Sequence, residues 1–159
     1  MSAASNFLED KLLDHTLRYS TAPYTAPTTV YVALFADSGS GASAALESGT
    51  SSTTGTSNWG YYEISNGSYA RQTIAFTAAG TPGGNTTGTI TSSGTVSFPV
   101  ATADYDSDGG TGNVVTHIAL MDDITGGNVL FYGTLTTSKT VSSGDQFTVS
   151  SGNLSISLA

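Results

Sequence analysis

The stretch Thr29-Val30-Tyr31-Val32-Ala33-Leu34-Phe35-Ala36 carries apolar side chains at odd and even positions alike. Successive side chains of a strand point to opposite faces, so a run of this kind is covered on both sides. It predicts a central β-strand, and the rest of the chain has to supply strands beside it and layers above and below it.

Upstream, one amphipathic helix is legible over residues 6–18. Asn6 stands where an N-cap belongs, with Glu9 three residues on at the capping-box position. Leu8, Leu12, Leu13 and Leu17 fall within one half of a helical wheel, and Asp10, Lys11, Asp14, His15 and Arg18 fill the other. The acids come early and Arg18 comes last, as the helix dipole favours. Pro23 and Pro27 close the region.

Downstream everything reads as β. Residues 37–60 are rich in Ser, Gly, Thr and Ala, with Trp59 near the end, and predict a long exposed excursion. A short strand is expected at 61–65, then a tight hairpin turn at Asn66-Gly67 leading into a strand over 69–77. A second long loop is expected at 80–88, and strands at 88–92, 94–100, 113–121 and 129–136. A pair of short strands finishes the chain at Leu158. Strands at this spacing predict an antiparallel β-sandwich, of which a jelly roll is one form, in a single domain over 1–159.

Composition narrows the function. The net charge is -8, and Lys11, Arg18, Arg71 and Lys139 are the four basic residues; they form no patch, which excludes a nucleic-acid binder. Without Cys there is no disulfide, no thiolate nucleophile and no Cys-ligated zinc. No apolar run approaches the roughly 20 residues that span a bilayer, and the first residues lack the basic and apolar regions of a signal peptide. The chain therefore reads as made in the cytoplasm and not bound to a membrane. Only 10% of residues are charged, against about 25% in ordinary soluble domains, and Ser and Thr take their place. Such surfaces pack on other chains at little desolvation cost.

Few residue groups have the pattern of a chemical site. Asp104, Asp106 and Asp108, followed by Gly109, alternate as at the opening of a calcium loop, where hard oxygens converge and a glycine lets the chain wrap the ion. The twelfth position would be Val115 instead of a bidentate Glu, so Asp122 or Asp123 would have to complete the shell. A solvated acidic turn is the simpler reading. His117, inside an apolar run, reads as a core side chain with one satisfied hydrogen bond; no G-x-S-x-G nucleophile motif accompanies it. Glu47 and Glu63, the Glu residues that follow the helix, do not make the two-sided carboxylate pair of a glycosidase. Trp59, Tyr61 and Tyr62 could stack on a sugar ring or pack between subunits. Arg71 could pair with an acid on a partner, but a buried ion pair within the fold is the reading we favour.

Seven segments, in order over nearly the whole chain, carry a resemblance. They are Phe7-Leu-Glu-Asp-Lys-Leu-Leu-Asp-His15, Val30-Tyr-Val-Ala-Leu-Phe35 and Gly67-Ser-Tyr-Ala-Arg-Gln-Thr-Ile-Ala-Phe76, then Val96-Ser-Phe-Pro-Val-Ala-Thr-Ala-Asp104 and Val115-Thr-His-Ile-Ala-Leu120, and finally Asn128-Val-Leu-Phe-Tyr-Gly133 and Ser143-Gly-Asp-Gln-Phe147. Together they resemble a family of small tailed-bacteriophage virion proteins, tail fibre-like or head decoration proteins. The excursion at 38–60 is longer than that pattern, and 106–112 looks inserted.

The resemblance implies a virion structural protein with no catalytic residues and no cofactor. The first expectation is a capsid cement or decoration subunit, a dimer or trimer, bound to the major capsid protein on the head surface. Phe7, Leu8, Leu12 and Leu13 would be the docking face, and Arg71 a second contact. The alternative is a tail fibre or receptor-binding module, with Trp59, Tyr61 and Tyr62 meeting host glycan. A cell-envelope hydrolase is a distant third.

Overall fold

The computed structural model describes residues 3–18, 23–37, 39, 41–49, 57–80, 88–107 and 114–157. Its elements are β1 (Ala3–Ala4), α1 (Asn6–Leu17), β2 (Val30–Ala36), α2 (Gly41–Ser48) and a 3-10 turn (Trp59–Tyr61). They continue with β3 (Gln72–Ile74), β4 (Thr89–Thr91), β5 (Val96–Ser97), β6 (Val114–Met121), β7 (Val129–Thr140), β8 (Thr148–Val149) and β9 (Ser155–Ser157). The protein is mainly β, and every strand pairing is antiparallel.

One five-stranded sheet, in the order β1-β7-β6-β2-β3, forms the frame. As its apolar run predicts, β2 lies inside the sheet, between β6 and β3. Val32, Leu34 and Ala36 point to one face, with Val115, Ile118 and Leu120 of β6 and Leu130 of β7. The two-stranded sheets β4-β9 and β5-β8 close over that face through Val96, Phe98, Phe147, Leu154 and Ile156, which gives a sandwich-like arrangement. Ala33 and Phe35 point the other way, onto Ala42, Ala45 and Leu46 of α2 and onto Trp59 and Tyr62. Both faces of β2 are thus dry, and burial of that much apolar surface is what selects its register.

Three expectations need correction. The N-cap of α1 is Ser5, not Asn6: its Oγ accepts the Leu8 amide at 3.3 Å and donates to the Val129 carbonyl. The second bond ties the cap to β7 and is a tertiary choice that local spacing does not reveal. Secondly, residues 37–60 are not simply an exposed excursion. Within them α2 buries Ala42, Ala45 and Leu46 against the sheet. Asp37 holds its start, with Oδ2 accepting the Ala42 amide at 2.9 Å and Oδ1 the Gly39 amide at 2.8 Å. A small-residue helix of this kind is stabilised by packing, not propensity.

The third correction concerns the hairpin. The turn at Asn66-Gly67 is present: Gly67 and Ser68 both have positive φ, 65° and 67°, and the Tyr69 amide returns to the Asn66 carbonyl at 3.0 Å. These are the φ signs of a type I′ turn. Its two flanks nevertheless do not pair with each other. Ile64 and Tyr62 bond to Leu34 and Ala36 at one end of β2, while β3 pairs with Val30–Val32 at the other. The segments between them bulge away from the edge, and the Tyr69 hydroxyl fills the gap by accepting the Leu34 amide at 3.0 Å.

Candidate functional site

The bulge beside β2 gathers most of the residues singled out by sequence. Arg71 is buried, and its guanidinium grips Glu63 bidentately, Nε to Oε1 at 2.6 Å and Nη2 to Oε2 at 2.7 Å. Its Nη1 donates to the carbonyls of Asp123 and Gly126, at 2.8 and 2.7 Å, and so fastens the β6–β7 turn. The guanidinium also lies over the Trp59 ring, 5.2 Å from the centroid. Side-chain exposures of 3% for Arg71 and 15% for Glu63 make this the buried ion pair that the sequence reading favoured. Tyr69 donates its hydroxyl to Glu63 at 3.1 Å, and burial first, then the Glu63 charge, pushes its pKa well up.

Trp59 and Tyr62 are core residues, not a surface platform. The Trp59 ring meets Phe35 edge-on at 6.5 Å, and its Nε1 donates to the Gly49 carbonyl at 3.3 Å. Tyr62 packs edge-on against the half-buried Tyr61 at 5.1 Å and abuts the bare backbone of Gly41, where a side chain would collide with its hydroxyl. A glycan cannot stack on rings that are already enclosed. Sequence reasoning joined these aromatics correctly but missed the inward turn, because α2, which covers them, was not legible.

His117 is buried with two partners. Thr116 Oγ1 donates to the Phe35 carbonyl at 3.4 Å and accepts from Nδ1 at 2.8 Å, so Nδ1 is assigned the proton and Nε2 accepts from Ser43 Oγ at 2.9 Å. Desolvation lowers the His117 pKa, partly opposed by Asp37. This hydroxyl–imidazole pair lacks the rest of an acyl-transfer site. Among the described residues a threonine, not a carboxylate, holds Nδ1.

The acidic loop is taken up by backbone. Asp104 Oδ1 accepts the Ser143 amide at 2.9 Å, and Asp106 Oδ1 accepts the Ser107 amide at 2.8 Å. Asp108 lies outside the described residues. Asp122 is likewise engaged, its Oδ1 accepting the Asn128 amide at 2.6 Å and its Oδ2 the Asn128 side-chain amide at 2.8 Å, and Asp123 Oδ1 accepts the Thr125 amide at 3.0 Å. Among the described residues no group of three or more acids or histidines is placed to hold a metal.

The predicted docking helix divides by face. Leu8 is buried, Phe7 and Leu12 pack against the core, and Phe7 meets Tyr24 edge-on at 6.5 Å. Leu13 and Leu17, one turn apart, stand outward with 56% and 78% of their surface exposed. Glu9 and Asp10 flank that stripe, exposed as well, while Asp14 holds Arg18 at 2.9 Å. The helix is fixed beneath them by Ser5, whose amide donates to the Leu130 carbonyl at 3.0 Å, and by β1 pairing with β7. Of the four residues expected to dock, only Leu13 is on the outer side.

The model of one family, described as Podophage GP4 fiber I protein gp80, matches residues 3–157. The chain belongs to this family. No curated protein matches it. Membership in a podophage fibre family agrees with the resemblance to tailed-phage virion proteins and makes the chain a virion-associated structural protein. The match spans α2 as well as Asp104 and Asp106.

Proposed function

We propose that the chain is a non-enzymatic subunit of a phage tail fibre, joined to another virion protein through the outer stripe of α1. The observation that carries the proposal is the family match over residues 3–157, a fibre family throughout. The stripe supplies the means. Leu13 and Leu17 offer apolar contact, and Glu9 and Asp10 beside them set the sign of the partner. A second copy would oppose acid to acid at a net charge of -8, so the complementary surface is an apolar groove with a basic rim on a different chain. Glu63 is held at both oxygens by Arg71, and a threonine instead of a carboxylate stands at Nδ1 of His117, which favours the non-enzymatic reading.

Copy number separates this reading from a cement on the head. Quantitative mass spectrometry of purified virions should give a small ratio of this chain to the major capsid protein, with immunogold label at the tail. A ratio near unity and label over the head would overturn the fibre position and restore the cement reading.

A further inference from the structure

The helix α2 is held to the sheet by little apolar surface and by three polar ties. It contributes two alanines and one leucine, Ala42, Ala45 and Leu46, to the layer over Phe35 and Trp59. An eight-residue helix does not persist on so small a contact without further ties. Its start is held by Asp37, whose Oδ2 accepts the Ala42 amide at 2.9 Å. Its middle is held by Ser43 Oγ, which donates to His117 Nε2 on β6 at 2.9 Å. Its end is held by Glu47, which accepts the Tyr132 hydroxyl of β7. The acceptor in each tie is a group that binds a proton. We propose that α2 is an acid-released cover, which lifts from Trp59 and Phe35 below neutral pH while the five-stranded sheet stays folded. The proposal goes beyond the fibre reading, since it concerns a movement within one chain.

Acid acts on all three ties in one direction. An imidazole protonated at both nitrogens no longer accepts from Ser43, and its charge is then shut beneath a layer that excludes water. Desolvation lowers the His117 pKa against the pull of Asp37, so the ring takes its proton more readily once the cover is raised. A carboxylate accepts more strongly than a carboxylic acid, so Asp37 and Glu47 hold the helix less well once protonated. The other groups around the helix do not reverse this. Glu9 on α1 also bears on Tyr132, but it is exposed and its repulsion of Glu47 is screened. The Tyr62 phenol, which faces Asp37, keeps its proton in acid. Arg71, behind the Trp59 ring, is paired with both oxygens of Glu63. The opposite layer of the sandwich gives acid nothing to act on: its buried residues are apolar or, in Tyr105, a neutral phenol.

Trp59 is the natural probe, because it is the sole tryptophan and its Nε1 donates to the Gly49 carbonyl just past α2. The test follows acrylamide quenching of Trp59 in the full chain from about pH 7.5 to about 3.5. Circular dichroism of the sheet and hydrogen exchange are measured on the same samples. Quenching should rise, and protection of the amides of residues 42–48 should fall about tenfold between pH 7 and 5, the change that one suppressed histidine allows. Protection of β2 and β6 should hold over that range. His117→Gln leaves an acceptor in the site but takes up no proton, so its quenching midpoint should move to lower pH. Ser43→Ala removes the middle tie while raising helix propensity, so it should increase quenching already at neutral pH. One coincident transition of Trp59 and the sheet, quenching that stays flat, or an unshifted midpoint in His117→Gln would each overturn the proposal. So would a Ser43→Ala variant quenched no more than the unmodified protein, which decides the matter if His117→Gln does not fold.

Discussion

At the scale of single residues, Arg71 has the largest structural consequence. It joins Glu63, Trp59 and the β6–β7 turn, and truncation would leave a buried carboxylate without its counter-charge. Arg71→Ala should cost about 3–5 kcal/mol, read from the urea midpoint. Arg71→Lys should recover only part of it, because an ammonium cannot reproduce the bidentate fork. His117 gives a pH signature. Its folded pKa lies below the unfolded value of 6.5, so the unfolded chain binds the proton first as pH falls. Its contribution is complete above about pH 6.5 and declines below it. The thermal midpoint should therefore drop between pH 7 and 5, and a His117→Asn variant should show a shallower drop over that window. Burial, and the Tyr132 hydroxyl donating to Glu47, push the Tyr132 pKa up to about 12, so that phenol stays protonated at any working pH. The sequence offered Arg71 and His117 as candidates, but not their partners. Ser43 and His117 are 74 positions apart, and only the folded sheet brings them together.

At the scale of elements, the two helices are held for opposite reasons. α1 was legible from its leucine spacing, yet only half of those leucines face the protein. Leu8→Ala should cost about 2–5 kcal/mol, whereas Leu17→Ser should change stability by no more than about 0.5 kcal/mol and instead weaken attachment to the virion. A pull-down of virion proteins by the two variants, alongside thermal melts, separates folding from docking. α2 was not legible, since Gly41-Ala-Ser-Ala-Ala-Leu46 has too few large apolar residues for a clear period. Its helix depends on the sheet and on the Asp37 carboxylate. Asp37→Ala should cost about 0.5–2 kcal/mol, the range for loss of a cap, and a falling circular-dichroism midpoint would register it. The turn at Asn66-Gly67 was read correctly from two residues, while the pairing of its flanks was not. Turn chemistry is local, whereas the choice of β2 as common neighbour is made by burial.

At the scale of the whole molecule, fold class was legible and topology was not. The fully apolar β2, the scarcity of charge and the spaced turn residues all pointed to an antiparallel β protein, and each is a property of composition or short-range pattern. The sheet order β1-β7-β6-β2-β3 joins strands from both ends of the chain, and no local signal encodes that. The stretch at 37–60 was read as one long exposed excursion, whereas its helix α2 packs on the sheet. Each doubling of a loop adds only about 0.6 kcal/mol of closure entropy, and α2 repays that by covering Phe35 and Ala33.

The placement of β2 between partners from distant parts of the chain also sets a timetable. Val30–Ala36 leaves the ribosome early, but its principal neighbour, β6, begins only at Val114. At synthesis rates of about 5–20 residues per second, the edge of β2 that β6 will cover waits on the order of ten seconds unpaired, long after β3 has become available to the other edge. The β6–β7 hairpin, by contrast, can close as soon as it is made. Nascent chains stalled before residue 114 should therefore be sticky and protease-sensitive, and those extended past residue 140 should become resistant together. Shielding of that early strand until its partner is made is thus a requirement set by topology, not by any local weakness of the sequence.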